Sequence, residues 1–286
     1  MLRVSALTFL TGPLLALAPL MVALSPSAIP AQEPEFYDIP TAPEHWTYGR
    51  RLDEAQLRYC VDRRDPAWEV ADAIAEALAS GLLLEPQRHV VEADIIAEDI
   101  TAVYEVMLQH CDMHMGFKLI PEGYPDWLTI TRAYYQSEYV FVTADPDLQA
   151  LAGLPPGRPI GATSGTLAHL RLVSYVGALQ ADDRWPVFPM GTSERALAAL
   201  RDGTVDVALV WAPAFWAGQR ANADYVDFRV IDPAPLPPTR LGVGAIMLSD
   251  ETFLRNAVDE AIAALTADGT IGAILDDYGF PATAAP

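Results

Sequence analysis

Apolar and polar positions along this chain follow two periods in turn. Leu57-Arg58-Tyr59-Cys60-Val61 reads as a buried strand, closed by Asp62 and the turn Arg63-Arg64-Asp65-Pro66. From 68 to 84 the apolar positions Val70, Ile74, Ala77 and Leu78 recur at helical spacing. Residues 88–96 predict a second strand, 100–109 a second helix, 111–116 a third strand and 139–143 a fourth. After Asp145 the cycle restarts with a short strand over 158–162. Thr163-Ser164-Gly165-Thr166 follows, and then a helix carrying Leu167, Leu170, Val173 and Val176. Residues 187–189 read as a strand edge, and Ser193 as the cap of a helix over 194–201 that Asp202-Gly203 ends. Residues 205–211 are nearly all apolar, as in strands buried inside parallel sheets. Beyond a Pro-rich stretch at 232–238, residues 241–248 predict another strand, and 250–267 and 270–278 predict helices. Strands alternating with helices predict an α/β fold of mostly parallel sheets flanked by helices. Two such cycles predict two lobes.

The first residues do not share this pattern. Arg3 precedes an apolar run from about Ala6 to Leu24, and Ile29-Pro30-Ala31 offers a cleavage site before Gln32. That order predicts a secretory signal over 1–31 and a soluble protein in the periplasm. A retained membrane anchor is the rival reading, and Thr8, Thr11, Gly12, Pro13 and Pro19 interrupt the run against it. Residues 32–56 are rich in Pro, Glu and aromatics without a period, and read as an N-terminal arm.

Charge narrows the partners. The chain of 286 residues carries 18 Lys+Arg against 38 Asp+Glu, a formal net charge of −20. Such a balance repels phosphate backbones and anionic headgroups, so neither nucleic acid nor a membrane surface is an expected partner. Lys118 is the only lysine, so any chemistry that needs an amine has one candidate. Export would place Cys60 and Cys111 in an oxidising compartment, where a disulfide and two buried free thiols are both open. No GxSxG, HExxH or paired-cysteine motif is present, and the chain reads as a non-enzyme. A dehydratase using a carboxylate pair is the lesser alternative. On a strand, His110, Asp112 and His114 would share one face and could hold a metal. Asp62, Asp65, Glu69 and Asp72 form an acidic run at a helix start. Glu92, Asp94, Glu98 and Asp99 read as a solvated face. An ordinary buried strand and solvated acids explain these groups, and neither a metal nor a cofactor is expected.

Several segments stand in a telling order. They are Val61-Asp62, Pro66-Ala67-Trp68, the run from Cys111 to Gly116, Thr131-Arg132-Ala133-Tyr134-Tyr135, the run from Gly161 to Thr166, and the run from Asp202 to Ala208. Over about residues 52–280 the chain resembles bacterial extracellular solute-binding proteins of the amino-acid-binding type, family 3. The resemblance implies the periplasmic-binding-protein type 2 fold, two α/β lobes joined by hinge strands. Lobe 1 would hold 57–140 and 246–286, and lobe 2 would hold 141–245. Cys60-Val61-Asp62, Cys111-Asp112, the run from Thr131 to Val142 and the run from Val205 to Trp211 are similar to a narrower branch. That is the MoxJ/XoxJ type, encoded with quinoprotein methanol and alcohol dehydrogenases. Both cysteines fall within these matches, which supports a bridge between them.

The family implies a cleft with three grips for an amino acid. They are an Arg after the Gly of the third strand, free N–H groups at a helix start, and an Asp ending the later Val-Asp-Ala strand. Here Thr163, Ser164, Gly165 and Thr166 keep the helix start. Residues 116–124 hold Lys118 and no Arg, and the Asp position is Trp211. A buried zwitterion would lack a carboxylate for its ammonium, so tight amino-acid binding is not expected. Trp68, Phe117, Tyr134, Trp211 and also Trp216 are candidates for an aromatic cleft wall or for core, with Asp62 beside them. The branch implies an accessory role in maturing or activating a quinoprotein dehydrogenase, with that enzyme or its cytochrome as partner. The alternative is a receptor that delivers a small organic ligand to an ABC permease.

Overall fold

The computed structural model describes residues 55–92, 100–120 and 123–286. The segment expected as a signal over 1–31, the expected arm up to residue 54, and Asp94, Glu98 and Asp99 lie outside the described residues. The first cycle runs β1 (Gln56–Asp62), α1 (Trp68–Gly81), β2 (Glu85–Val91), α2 (Ile100–His110) and β3 (Met113–Lys118). Short β4 (Leu128–Ile130) and long β5 (Tyr135–Thr143) follow. The second cycle runs β6 (Ile160–Thr163), α3 (Leu167–Ala178), β7 (Val187–Met190), α4 (Ser193–Arg201) and β8 (Val207–Trp211). The chain then adds α5 (Ala212–Ala221), β9 (Arg229–Ile231), β10 (Thr239–Leu248), α6 (Thr252–Ala267), α7 (Thr270–Asp277) and β11 (Thr283–Ala284).

The two cycles build the same motif. β1 pairs in parallel with β2 and β3, and β6 in parallel with β7 and β8. Each set of three is completed by an antiparallel strand, β10 against β3 and β5 against β8. β10 and β5 also pair with each other, Thr239 opposite Tyr139 through Val243 opposite Tyr135. The expected separate sheets are therefore one continuous sheet, in the order β2-β1-β3-β10-β5-β8-β6-β7. Both central strands change partner along their length. β5 pairs with β10 over 135–139 and with β8 over 139–143, so Tyr139 is the point where one half ends and the other begins.

Helical register follows the apolar spacing. α1 buries Val70, Ala71, Ile74, Ala75, Leu78 and Ala79, a stripe at i, i+4 and i+8 laid against the sheet. Helix α4 differs at its start. Thr192 is the cap, its Oγ1 accepting from Arg195 N at 3.2 Å, and Ser193 is the first helical residue. Cys60 on β1 and Cys111, just before β3, form a disulfide with Cα atoms 5.6 Å apart. β3 begins at Met113, so His110, Asp112 and His114 do not share a strand face. His110 ends α2 and stacks on His89 with centroids 4.1 Å apart. Asp112 is gripped by the Arg58 guanidinium at 2.5 and 3.1 Å. His114 is buried with Nδ1 3.1 Å from the Met115 carbonyl. No group of three or more His, Cys, Asp or Glu among the described residues is arranged to hold a metal. No helix among them is long and apolar enough to cross a membrane.

Candidate functional site

Parallel strands leave their ligand crevices beyond their carboxyl ends. Here the carboxyl ends of both motifs meet at one cavity of about 240 Å³. One half supplies Asp65 and Pro66 after β1, and Gly116 and Lys118 at the end of β3. The other supplies Thr163 ending β6, Thr192, Ser193 and Glu194 at the start of α4, Trp211 ending β8, and Ala214 in α5. Tyr135 and Val243, facing each other on β5 and β10, close its floor. The volume falls below the roughly 300–1,000 Å³ of drug-sized sites, so it suits a small molecule.

Lys118 dominates this cavity. Its ammonium lies 4.7 Å from the Trp211 ring centroid and 5.5 Å from that of Tyr139. Nζ donates a long hydrogen bond to Tyr139 Oη at 3.4 Å. The two rings pack tilted, with centroids 5.0 Å apart. Burial pushes the Lys118 pKa down, and the charges of Asp65 and Glu194 oppose that shift without cancelling it.

Asp65 is positioned by the turn after β1. Its N–H donates to the Asp62 carbonyl at 2.9 Å, and its Oδ1 accepts from Ala67 N at 2.9 Å. Desolvation pushes its carboxyl up to about 6, against the hydrogen bond from Ala67 and the charge of Lys118. The same carboxylate lies over Gly116 where a Cβ would stand, and Gly116 has φ +92. Glycine at that position therefore lets the acid reach the cavity.

The other wall is fixed by hydroxyls. Thr163 Oγ1 lies 3.1 Å from Ser193 Oγ and donates to the Leu209 carbonyl at 3.2 Å. Ser193 Oγ accepts from Trp211 N at 3.2 Å. This chain ties the ends of β6 and β8 to the start of α4, and so sets the Trp211 backbone.

Of the residues singled out in the sequence, Lys118, Thr163 and Trp211 come together here. Ser164, Gly165 and Thr166 do not line the cavity. They make the turn into α3, with Gly165 at φ +72 and Thr166 Oγ1 accepting from His169 N at 3.1 Å. Asp62 and Phe117 line a neighbouring cavity of about 190 Å³ beside Arg64, Val103, Val106 and His114. Arg64 holds Asp62 below the usual carboxylate range, outweighing the upward push of burial. Tyr134 is core rather than cleft wall, at 0% exposure, with its Oη accepting Gly116 N–H at 2.9 Å. Trp68 packs half-buried on the core with the Arg63 guanidinium 5.7 Å from its ring. Trp216 lies on another face, edge-on to Phe280 at 5.1 Å. Sequence reasoning missed Asp65, Thr192, Ser193, Glu194 and Tyr139 as site residues. The turn Arg63-Arg64-Asp65-Pro66 was the available signal for Asp65.

No family model and no curated protein matches the chain. Solved structures do. The crystal structure of Tv2483 bound to L-arginine is 18% identical with a TM-score of 0.55, covering 82% of this chain and 95% of its own. The BvgS periplasmic VFT2 domain of Bordetella pertussis is 16% identical with a TM-score of 0.59, covering 82% and 98%. MxaJ from Methlophaga aminisulfidivorans MPT is 18% identical with a TM-score of 0.53, covering 79% and 100%. At these identities the likeness establishes the fold: a mixed α/β, two-lobed architecture of the periplasmic-binding-protein type.

Proposed function

We propose that this chain is an exported, periplasmic solute-binding-type protein that works through the cavity around Lys118, and that it is not an enzyme. Its lobes are taken as 57–140 with 246–286, and 141–245, hinged on β5 and β10. The observation that carries this reading is the meeting of both motifs' strand ends at one small cavity. The ligand class follows from its lining. An α-carboxylate would meet one ammonium flanked by Asp65 and Glu194, and an α-ammonium would meet the Lys118 ammonium already lying over the Trp211 ring. A small, neutral organic molecule with a flat or apolar face fits better than a zwitterionic amino acid. Calorimetry against the common amino acids is expected to show no micromolar binding, and one such affinity overturns the ligand class. A cognate solute at a hundred times its Kd is expected to stabilise the fold by about 2.7 kcal/mol.

A second reading is the accessory role beside a quinoprotein dehydrogenase, without delivery to a permease. An exposed apolar stripe favours it. Leu167, Leu170 and Val173 are 45%, 59% and 45% exposed along α3, which starts next to Thr163 at the cavity. Capture of a quinoprotein dehydrogenase from periplasm, lost in Leu170→Glu, supports this reading. Capture of permease components, or solute-induced stabilisation, supports the first.

A further inference from the structure

Lys118 joins the two halves through its head rather than its backbone. Its side chain leaves β3, yet its ammonium rests 4.7 Å from the ring of Trp211, at the far end of β8. Tyr139, on the strand both halves share, supplies the second ring at 5.5 Å. Asp65 from one half and Glu194 from the other supply the nearby negative charge. Two aromatic faces and two carboxylates around one cation are the chemistry that recognises an ammonium. A lysine merely covering apolar surface would keep its head in water. This head lies inside the cavity, and its hydrogen bond to Tyr139 is long.

We propose that the cavity contains an ammonium seat already filled by the protein's own Lys118, a tethered ligand that clasps the two halves, and that emptying the seat creates a binding site for a free primary alkylammonium. This rests on the reading of the cavity as the working cleft, and it says which solutes are shut out. A free cation must displace a cation held at far higher effective concentration, so the native cleft rejects amines.

Because Lys118 is the only lysine, reductive methylation with ¹³C-formaldehyde gives one side-chain dimethylamino resonance, distinct from that of the amino terminus. In the unmutated protein it is expected upfield of free dimethyl-lysine, shifted by the Trp211 ring, and Trp211→Leu is expected to return it. A lysine that resists methylation until Trp211→Leu is introduced supports the same seat. In a second arm, Lys118→Ala is titrated with n-butylammonium chloride and with n-butanol. The ammonium is expected to bind at least about tenfold more tightly than the alcohol, and than either binds the parent. A parent resonance at the free position overturns the proposal, and so does a folded Lys118→Ala that treats ammonium and alcohol alike. A parent protein that binds no solute overturns the functional reading and leaves both arms standing.

Discussion

Gly116 holds φ +92 with the Asp65 carboxylate placed where a side chain would begin. Gly116→Ala is therefore expected to lower stability by about 1–3 kcal/mol and to push the Asp65 carboxylate away from residue 116, as urea denaturation would report. A variant as stable as the parent would show the contact to be slack. Asp65 also makes a pH prediction. Its carboxyl is raised from 3.8 to about 6 in the folded protein. Between these values the folded state binds more protons than the unfolded one, so stability falls as pH rises through this window. Asp65→Asn keeps the acceptor for Ala67 N–H, and the fall is expected to flatten in that variant's denaturation curves. At this scale the sequence made Lys118 and Trp211 legible because each is a type out of place: a lone lysine, and an indole where a family acid is expected. Asp65 was hidden because a carboxylate before Pro66 reads first as a turn residue. Tyr134 misled because its run with Tyr135 gives no sign that both rings are buried in the core.

At the scale of elements, helical spacing and buried apolar runs carried most of the information. α1 and β8 stand within a few residues of expectation because one packs a stripe and the other is buried throughout. β4, β9 and α5 were not foreseen. The first two are three residues long, and α5 opens Ala-Pro-Ala directly after β8 with no polar break. The disulfide belongs to this scale, since it pins β1 to the segment that enters β3. It closes a loop with a sequence separation of 51, which on chain-entropy grounds contributes about 4 kcal/mol. Denaturant curves with and without reductant are expected to differ by about that amount, and Cys60→Ala/Cys111→Ala to match the reduced parent. Both cysteines are fully buried, so thiol labelling of the native, unreduced protein is expected to find nothing.

For the whole molecule, the repeated strand–helix cycle announced two motifs. What joins them was not legible in the residue pattern itself; only the resemblance implied hinge strands. No pattern in residues 239–248 says that their strand enters the sheet between β3 and β5, because pairing at a separation of about one hundred residues leaves no local mark. That insertion has a consequence for the order in which the chain is made. While the amino-terminal five sixths emerge, β3 lacks its neighbour β10 and β5 lacks both β10 and β11. The first half cannot finish until the last fifty residues bring β10, so its completion is deferred to the end of synthesis, whereas the second half has its own closing strand in β5. Polypeptides halted at residue 238 are expected to remain open at those edges, to be cut rapidly by protease and to associate with one another, while the full chain resists both. A nascent chain that cannot close early stays threadable, which is the condition a translocation channel imposes.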